Sequence, residues 1–217
     1  MDLKAVGVVG SGPVGEALAN GFLKHGHPVM RGSREPAKLA EWLKGAGPRA
    51  SPGTFAEAAA YGEIVVLAVK GVVAEAAVGL CGPQRLAGKT VIDTTNPIAE
   101  APPIHGVLQY FTTMNDSLME RLQRLSPAAH FVKAFSSVGN AFMVDPDFGG
   151  IAPTMFICGN EAAAKAEVTE ILTRFGWETE DIGGVEGARA IEPLCILWCA
   201  PGFLRGQWNH AFKVLRK

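Results

Sequence analysis

Short β-branched runs alternate with stretches of helical periodicity along the chain. Ala5–Val9 predicts a first strand. Val14–His25 predicts a helix, because Val14, Ala17, Leu18, Gly21 and Phe22 recur on one face, and Gly26 supplies a stop. Pro28–Arg31 reads as a short strand, and Pro36–Lys44 as a helix with Leu39, Trp42 and Leu43 on one side. The Gly/Pro-rich segment Gly45–Pro52 has room for a short third strand, and Thr54–Tyr61 is an Ala-rich helix. Glu63–Val69 (EIVVLAV) is almost continuously apolar, as a strand covered on both faces should be. Val72–Leu80 predicts a helix and Lys89–Asp93 another strand.

The rhythm then loosens. Pro97–Asn115 is a long segment of mixed polarity, and a loop of that length inside a compact domain is usually functional. Ser117–Leu125 predicts an amphipathic helix with Leu118, Met119, Leu122 and Leu125 inward, followed by a strand at His130–Phe135. Asn140–Pro153 is irregular. A strand (Thr154–Cys158), a helix (Glu161–Phe175) and a last strand (Trp177–Asp181) come next. Gly187–Leu215 reads as mostly helical, with breaks near Pro193 and Ala200-Pro201-Gly202. This alternation predicts an α/β fold with a doubly wound, mostly parallel sheet, right-handed crossovers and a short C-terminal helical extension. Residues 1–183 form the expected sheet domain, with its core in 1–136, and residues 184–217 the extension. The apolar surface of that extension is expected to bury against the domain, either wrapping it alone or also meeting a second subunit.

One motif gives the fold a chemistry. Gly10-Ser11-Gly12-Pro13-Val14-Gly15 is G-x-G-x-x-G placed between a strand and a helix, the context in which the pattern means a dinucleotide cradle. Gly10 allows the tight turn, Gly12 lets backbone approach a pyrophosphate, and Gly15 lets helix and sheet pack closely. Pro13 suits a first helical turn, whose free N–H groups face an anion. Together these features identify a Rossmann-type domain. The second strand then ends without the acid that would accept a bond from an NAD ribose. It ends in Arg31-Gly32-Ser33-Arg34, with Lys38 one turn later. Arg31, Arg34 and Lys38, with the Ser33 hydroxyl, form a basic cluster suited to a 2′-phosphate, so the expected cofactor is NADP(H).

Charge and composition narrow the partners. The chain has 20 Lys+Arg against 21 Asp+Glu, a net charge of −1, so there is no broad basic surface for nucleic acid. No run reaches the roughly 18 apolar residues of a membrane span, and no signal-peptide pattern opens the chain, so a cytoplasmic protein without a membrane partner is expected. Cys81, Cys158, Cys195 and Cys199 sit in apolar contexts as expected free thiols, and no metal-ligand spacing is present.

The blocks VVGSGPVGEAL (Val8–Leu18), GSREPAK (Gly32–Lys38), VIDTTNP (Val91–Pro97), VKAF (Val132–Phe135), MFICGNE (Met155–Glu161) and IEPLCILW (Ile191–Trp198) span nearly the whole chain. Their order and spacing resemble the coenzyme F420-dependent NADP oxidoreductase family. The resemblance implies an NADP-dependent enzyme, a homodimer, and direct hydride exchange with a second ring system, F420 or a flavin. It implies that Gly10, Ser11, Gly12, Val14 and Gly15 hold the pyrophosphate and that Ser33, Arg34 and Lys38 hold the 2′-phosphate. It further implies that Ala68, Val69, Asn96 and Pro97 line the nicotinamide end. The chain departs from the family pattern at Lys70-Gly71 and Ser136-Ser137-Val138-Gly139, where the second substrate would lie. Lys70 also falls where it could pair a cofactor phosphate. No catalytic dyad is legible. Lys70, Asn96, Ser136, Ser137 and Asn140 are candidates by loop position, and His105 as a general acid in the long loop. Two other readings remain: a reductase of a small carbonyl or imine, and an NADP(H)-binding redox sensor without catalysis.

Overall fold

The computed structural model describes residues 3–217. Six parallel strands form one sheet: β1 (Val6–Val9), β2 (Val29–Gly32), β3 (Ala50–Gly53), β4 (Ile64–Leu67), β5 (Thr90–Asp93) and β6 (His130–Lys133). Their order is β3-β2-β1-β4-β5-β6, so the winding direction reverses between β1 and β4. The register aligns the carboxyl ends in one row, with Val9 opposite both Gly32 and Leu67, Leu67 opposite Asp93, and Asp93 opposite Lys133. That edge, at the switch point, is where ligands sit in such sheets.

Helices α1 (Pro13–Lys24), α2 (Ala40–Ala46), α3 (Phe55–Tyr61), α4 (Ala74–Cys81), α5 (Pro83–Leu86), α6 (Leu118–Leu125) and α7 (Ala162–Arg174) connect the strands. Two apolar cores result, one on each face. Leu18 and Phe22 of α1 and Val168 and Leu172 of α7 pack on one face with Val6, Val8, Val66 and Val132. Ala58, Val78, Leu118 and Leu122 pack on the other with Val9, Val65, Leu67 and Val91. Strand residues feed both cores, which explains the continuous apolar runs. A close approach holds α3 down: a Cβ on Gly7 would lie 2.0 Å from the Ala58 carbonyl oxygen. No helix among the described residues is long and apolar enough to cross a membrane.

Strands β7 (Thr154–Ile157) and β8 (Glu178–Asp181) pair in parallel as a separate small sheet, joined to β6 by an antiparallel bridge between Lys133 and Cys158. The extension folds as α8 (Ala188–Ile191) and α9 (Pro193–Arg205). Here the structure differs from the expected helix through Leu215. The helix runs through Pro201 without stopping and ends at Gly206, whose φ of 68° is left-handed. The remaining chain turns back along β7. Thr154 N–H donates to Phe212 O (2.8 Å), and Val214 N–H donates to Thr154 Oγ1 (3.0 Å). An unpaired strand edge takes the tail as its partner, a non-local choice that helical spacing cannot reveal. Leu125, expected inward, is 42% exposed at the last position of α6. The short helix α5 has only four residues and so carries no periodicity in the sequence.

The N-terminus of α6 is doubly secured. Ser117 Oγ accepts from Glu120 N–H, and Ser117 N–H donates to Glu120 Oε2 (2.8 Å), a reciprocal capping box. Arg189 of α8 donates to the same carboxylate at 2.5 and 3.0 Å. Arg189, with the Ser117 donors, outweighs burial and holds the Glu120 carboxyl well below its ordinary 4.5, at about 2. Because the folded value is depressed, this contribution is complete above the unfolded value and is lost as pH falls through the folded one. Glu120→Gln should therefore be less stable than the parent at pH 7. The gap should narrow between about pH 5 and pH 2 in denaturant titrations. A gap constant across that window would contradict the assignment.

Candidate functional site

The loop after β1 is shaped by its own backbone. Gly10 has φ of 153°, and a Cβ there would lie 2.1 Å from Ala68 O. A Cβ on Gly15 would lie 2.4 Å from Gly10 O. These two glycines are buried and required by packing. Gly12 is different. Its φ of −82° suits any residue, and a Cβ there would meet nothing within 4 Å. Gly12 is also the N-cap of α1 and offers no side-chain cap, so the first amides of that helix face open space with the helix dipole behind them.

Arg31 corrects the basic cluster read from the sequence. It does not face a phosphate site; it is 1% exposed. Its Nε donates to Gly10 O (3.1 Å), Nη2 to Gly12 O (2.9 Å) and Nη1 to Glu16 Oε2 (3.1 Å), and the guanidinium lies over the Trp42 ring. Burial lowers its pKa, and Glu16 partly offsets this. Arg31 braces the glycine loop from beneath. Beyond it, Ser33 is buried, and its Oγ accepts from Glu35 N–H (3.1 Å), leaving the hydroxyl proton to donate. Lys38 is exposed and pairs with Glu35 at 2.8 Å. Arg34 is exposed and has no hydrogen-bond or ion-pair partner among the described residues. The basic feature available to a ligand is therefore Arg34, with Lys38 shared.

Two cavities of about 460 Å³ each open along the carboxyl edge. They share Gly12, Ala68, Val69, Lys70, Val72 and Glu100. One extends past Ser11 to Arg34, Phe55 and Leu80. The other extends past Pro13 and Val14 to Thr94, Thr95, Asn96 and Ile98. Most expected residues thus converge, with Lys70 exposed at the junction. Pro97 lines neither cavity; it is buried, and its carbonyl accepts from Phe111 N–H (3.0 Å). Ser136 and Ser137 are also buried and line neither, although Asn96 Nδ2 donates to Ser136 O (2.8 Å). Asn96 Oδ1 and Ser136 Oγ are buried without partners. Asn140 sits in a shallow depression beside Ser11 and Pro13 on the other side of the α1 terminus. His105 is corrected as a general-acid candidate. It lies exposed at a hairpin tip, φ 49°, followed by Gly106 at φ 81°. The long loop is a hairpin, with Ile98 bridged to Tyr110 and Ile104 to Val107, and His105-Gly106 is its turn.

A buried ionic cluster beneath the second cavity was not legible as a site. Lys133 and Asp93 are 0% exposed and Glu192 is 2% exposed. Lys133 Nζ lies 2.7 Å from Asp93 Oδ2 and 3.1 Å from Glu192 Oε1, and donates to Thr95 O at 2.8 Å. Burial pulls the lysine's pKa down, and the two carboxylates more than reverse that, leaving it above its ordinary value. The one sequence signal was a lysine inside the apolar run His130–Phe135. Among the described residues no group of acids, histidines and cysteines is placed to hold a metal.

Comparisons with known proteins bear on the family and the fold. Residues 5–97 match the family model described as NADP oxidoreductase, coenzyme F420-dependent. A crystal structure of a provisionally named F420-dependent NADP-reductase from Arthrobacter sp. FB24 is 34% identical with a TM-score of 0.91, covering 99% of this chain and all of that one. Metalloreductase STEAP3 of Rattus norvegicus is 32% identical over 206 residues, which is 92% of this chain and 38% of the metalloreductase. The chain therefore spans well under half the length of that relative. A reductive aminase from Aspergillus terreus, solved with NADPH4, cyclohexanone and allyl amine, shares the fold at a TM-score of 0.66. It is 22% identical, over 94% of this chain and 62% of its own. With the glycine cradle, the Rossmann sheet and a match over the full length of a relative in hand, the chain belongs to the coenzyme F420-dependent NADP oxidoreductase family.

Proposed function

We propose that the chain binds NADP(H) across the two cavities and passes hydride to a flavin- or deazaflavin-like ring. The observation that carries this reading is Gly12. The fold does not need a glycine there, yet a Cβ would fill the space at the bare end of α1. On this reading the N–H groups of Ser11, Gly12 and Val14 hold the pyrophosphate, with Pro13, which has no N–H to offer, forming the rim. Arg34, with Ser33 and Lys38, takes the 2′-phosphate, and the apolar wall from Phe55 to Leu80 takes the adenosine. Ala68, Val69 and Asn96 take the nicotinamide end. The orphaned Asn96 Oδ1 is a buried acceptor that matches a carboxamide N–H.

The bound dinucleotide supplies the hydride. The chain supplies approach and dryness. Val14, Val69, Val72 and Ile98 form apolar walls, and the threonine hydroxyls at the floor are already spent, Thr94 on Leu67 O and Thr95 on Asp93. Lys70 and Glu100 are the charged groups left at the cavity. Ring-to-ring hydride exchange needs orientation more than acid–base help, which suits this inventory. Exposed Leu197, Phe203 and Leu204 on α9, beside Ile104 and Val107 of the hairpin, support a homodimer through the extension.

NADPH oxidation with F420, FMN, ferric citrate and a cyclic imine tests the reading. Turnover with F420 or FMN is expected. Turnover confined to the imine would replace the acceptor class, and tight NADPH binding without turnover of any acceptor would make the chain a sensor. Gly12→Val should melt within a few degrees of the parent and lose NADPH binding in calorimetry. A variant that binds normally would remove the cradle assignment. Arg34→Ala should weaken NADPH about tenfold and leave NADH little changed, the loss of one charge-assisted contact. Arg31→Ala should instead weaken both cofactors alike and cost roughly 2–4 kcal/mol of stability, because two loop carbonyls lose their donors.

A further inference from the structure

We infer that Lys133, Asp93 and Glu192 are positioning residues for the nicotinamide side of the cleft, so that the C-terminal extension acts on the site without touching it. The inference rests on the reading of the cleft as an NADP(H) site. Lys133 and Asp93 both grip Thr95 in the cavity wall, and Glu192 grips the first amides of α6 behind it. Lys133 holds the Thr95 carbonyl. Asp93 Oδ1 accepts from both Thr95 N–H (2.9 Å) and Thr95 Oγ1 (2.7 Å). Thr95 and Asn96 line the cavity directly, so the wall is set by a lysine that is itself set by the extension.

Glu192 closes the arrangement from the start of α9. Its carboxylate meets Lys133 and also accepts from Leu118 N–H and Met119 N–H, both at 3.0 Å. Two carboxyl groups face one ammonium, and the amino end of α6 is aimed at one of them, Glu192. Leu118 carries the effect to the other wall. A Cβ on Gly71 would lie 1.9 Å from Asn96 O and 3.2 Å from Leu118 Cδ2, so Leu118, Gly71 and Asn96 are stacked without slack. Gly71 and Asn96 both line the same cavity. The adenosine side shares none of these bonds. Arg34 and Phe55 follow β2 and β3, on the far side of β1 and β4 from the strands that carry Asp93 and Lys133.

That asymmetry gives the test. Adenosine 2′,5′-bisphosphate probes the Arg34 side alone, and NADPH probes both sides. In Glu192→Gln an amide N–H₂ is forced against a donor at Lys133 or at the α6 amides. NADPH affinity should fall roughly tenfold, the size of one such hydrogen bond. Affinity for the bisphosphate should stay within about twofold. Hydrogen exchange at the Thr95 amide should accelerate in the same variant. Lys133→Met strands two buried carboxylates and is a poor probe for that reason. Thr95→Val keeps the backbone and the volume while removing one bond to Asp93, and it decides the question if Glu192→Gln does not fold; the same split is expected. Equal weakening of both ligands, or no weakening of either, would overturn the inference. If the parent chain binds neither ligand, the reading of the cleft falls and takes this inference with it.

Discussion

The ammonium of Lys133 has no access to water, and the structure is arranged around that fact. A buried charge is tolerable only when paired and fully hydrogen-bonded. Three acceptors surround this one, from the end of β5, the turn that follows it, and the start of α9. Segments far apart in sequence are thereby obliged to meet at one point, directly below the edge where the sheet opens its cleft. Ion pairs of this kind add little net stability over an apolar core, but they penalise misplacement heavily. An apolar contact tolerates a slip of an ångström, whereas this cluster does not.

A second buried cation works in the same way on the other side of the switch point. Arg31 spends its fork on the carbonyls of Gly10 and Gly12 and on Glu16. Arg34, three residues later, has no hydrogen-bond or ion-pair partner among the described residues. The two arginines have opposite relations to solvent because β2 ends between them. Arg31 is the last side chain the sheet directs under α1, and Arg34 lies on the turn beyond it. One braces the loop and the other stays exposed beyond it. Their identical chemistry is divided by backbone geometry alone.

Much of the fold was legible. Strand and helix patterns placed seven of the eight strands and the third as a possibility, because a strand buried on both faces leaves a β-branched apolar run such as Ile64–Leu67 that is too short for a buried helix. The glycine cradle was legible for a similar reason: each glycine answers a local steric demand, and the demands fall in a fixed order. The long segment after β5 was less transparent. Its hairpin depends on pairing Ile98 with Tyr110, and His105, a general-acid candidate by loop position, sits with Gly106 at the turn. The end of the chain misled outright. The spacing of Phe203, Leu204, Trp208 and Phe212 suits a helix, but Gly206 stops it, and the edge of β7 offers hydrogen bonds that outcompete another turn.

The sequence alone determined the α/β alternation, the dinucleotide cradle and the absence of an acid at the end of β2. Each is a local property, set by periodicity, by the steric needs of single residues, or by the charge of a side chain at a known place. Tertiary structure decided which cations face solvent, where Glu192 lands, and which polar atoms of the cleft remain without partners. Those outcomes depend on contacts between residues as distant as Asp93 and Glu192. Desolvation decides them, because the cost of leaving a charge or a hydrogen-bonding group unpaired arises only when the folded chain has removed water from around it.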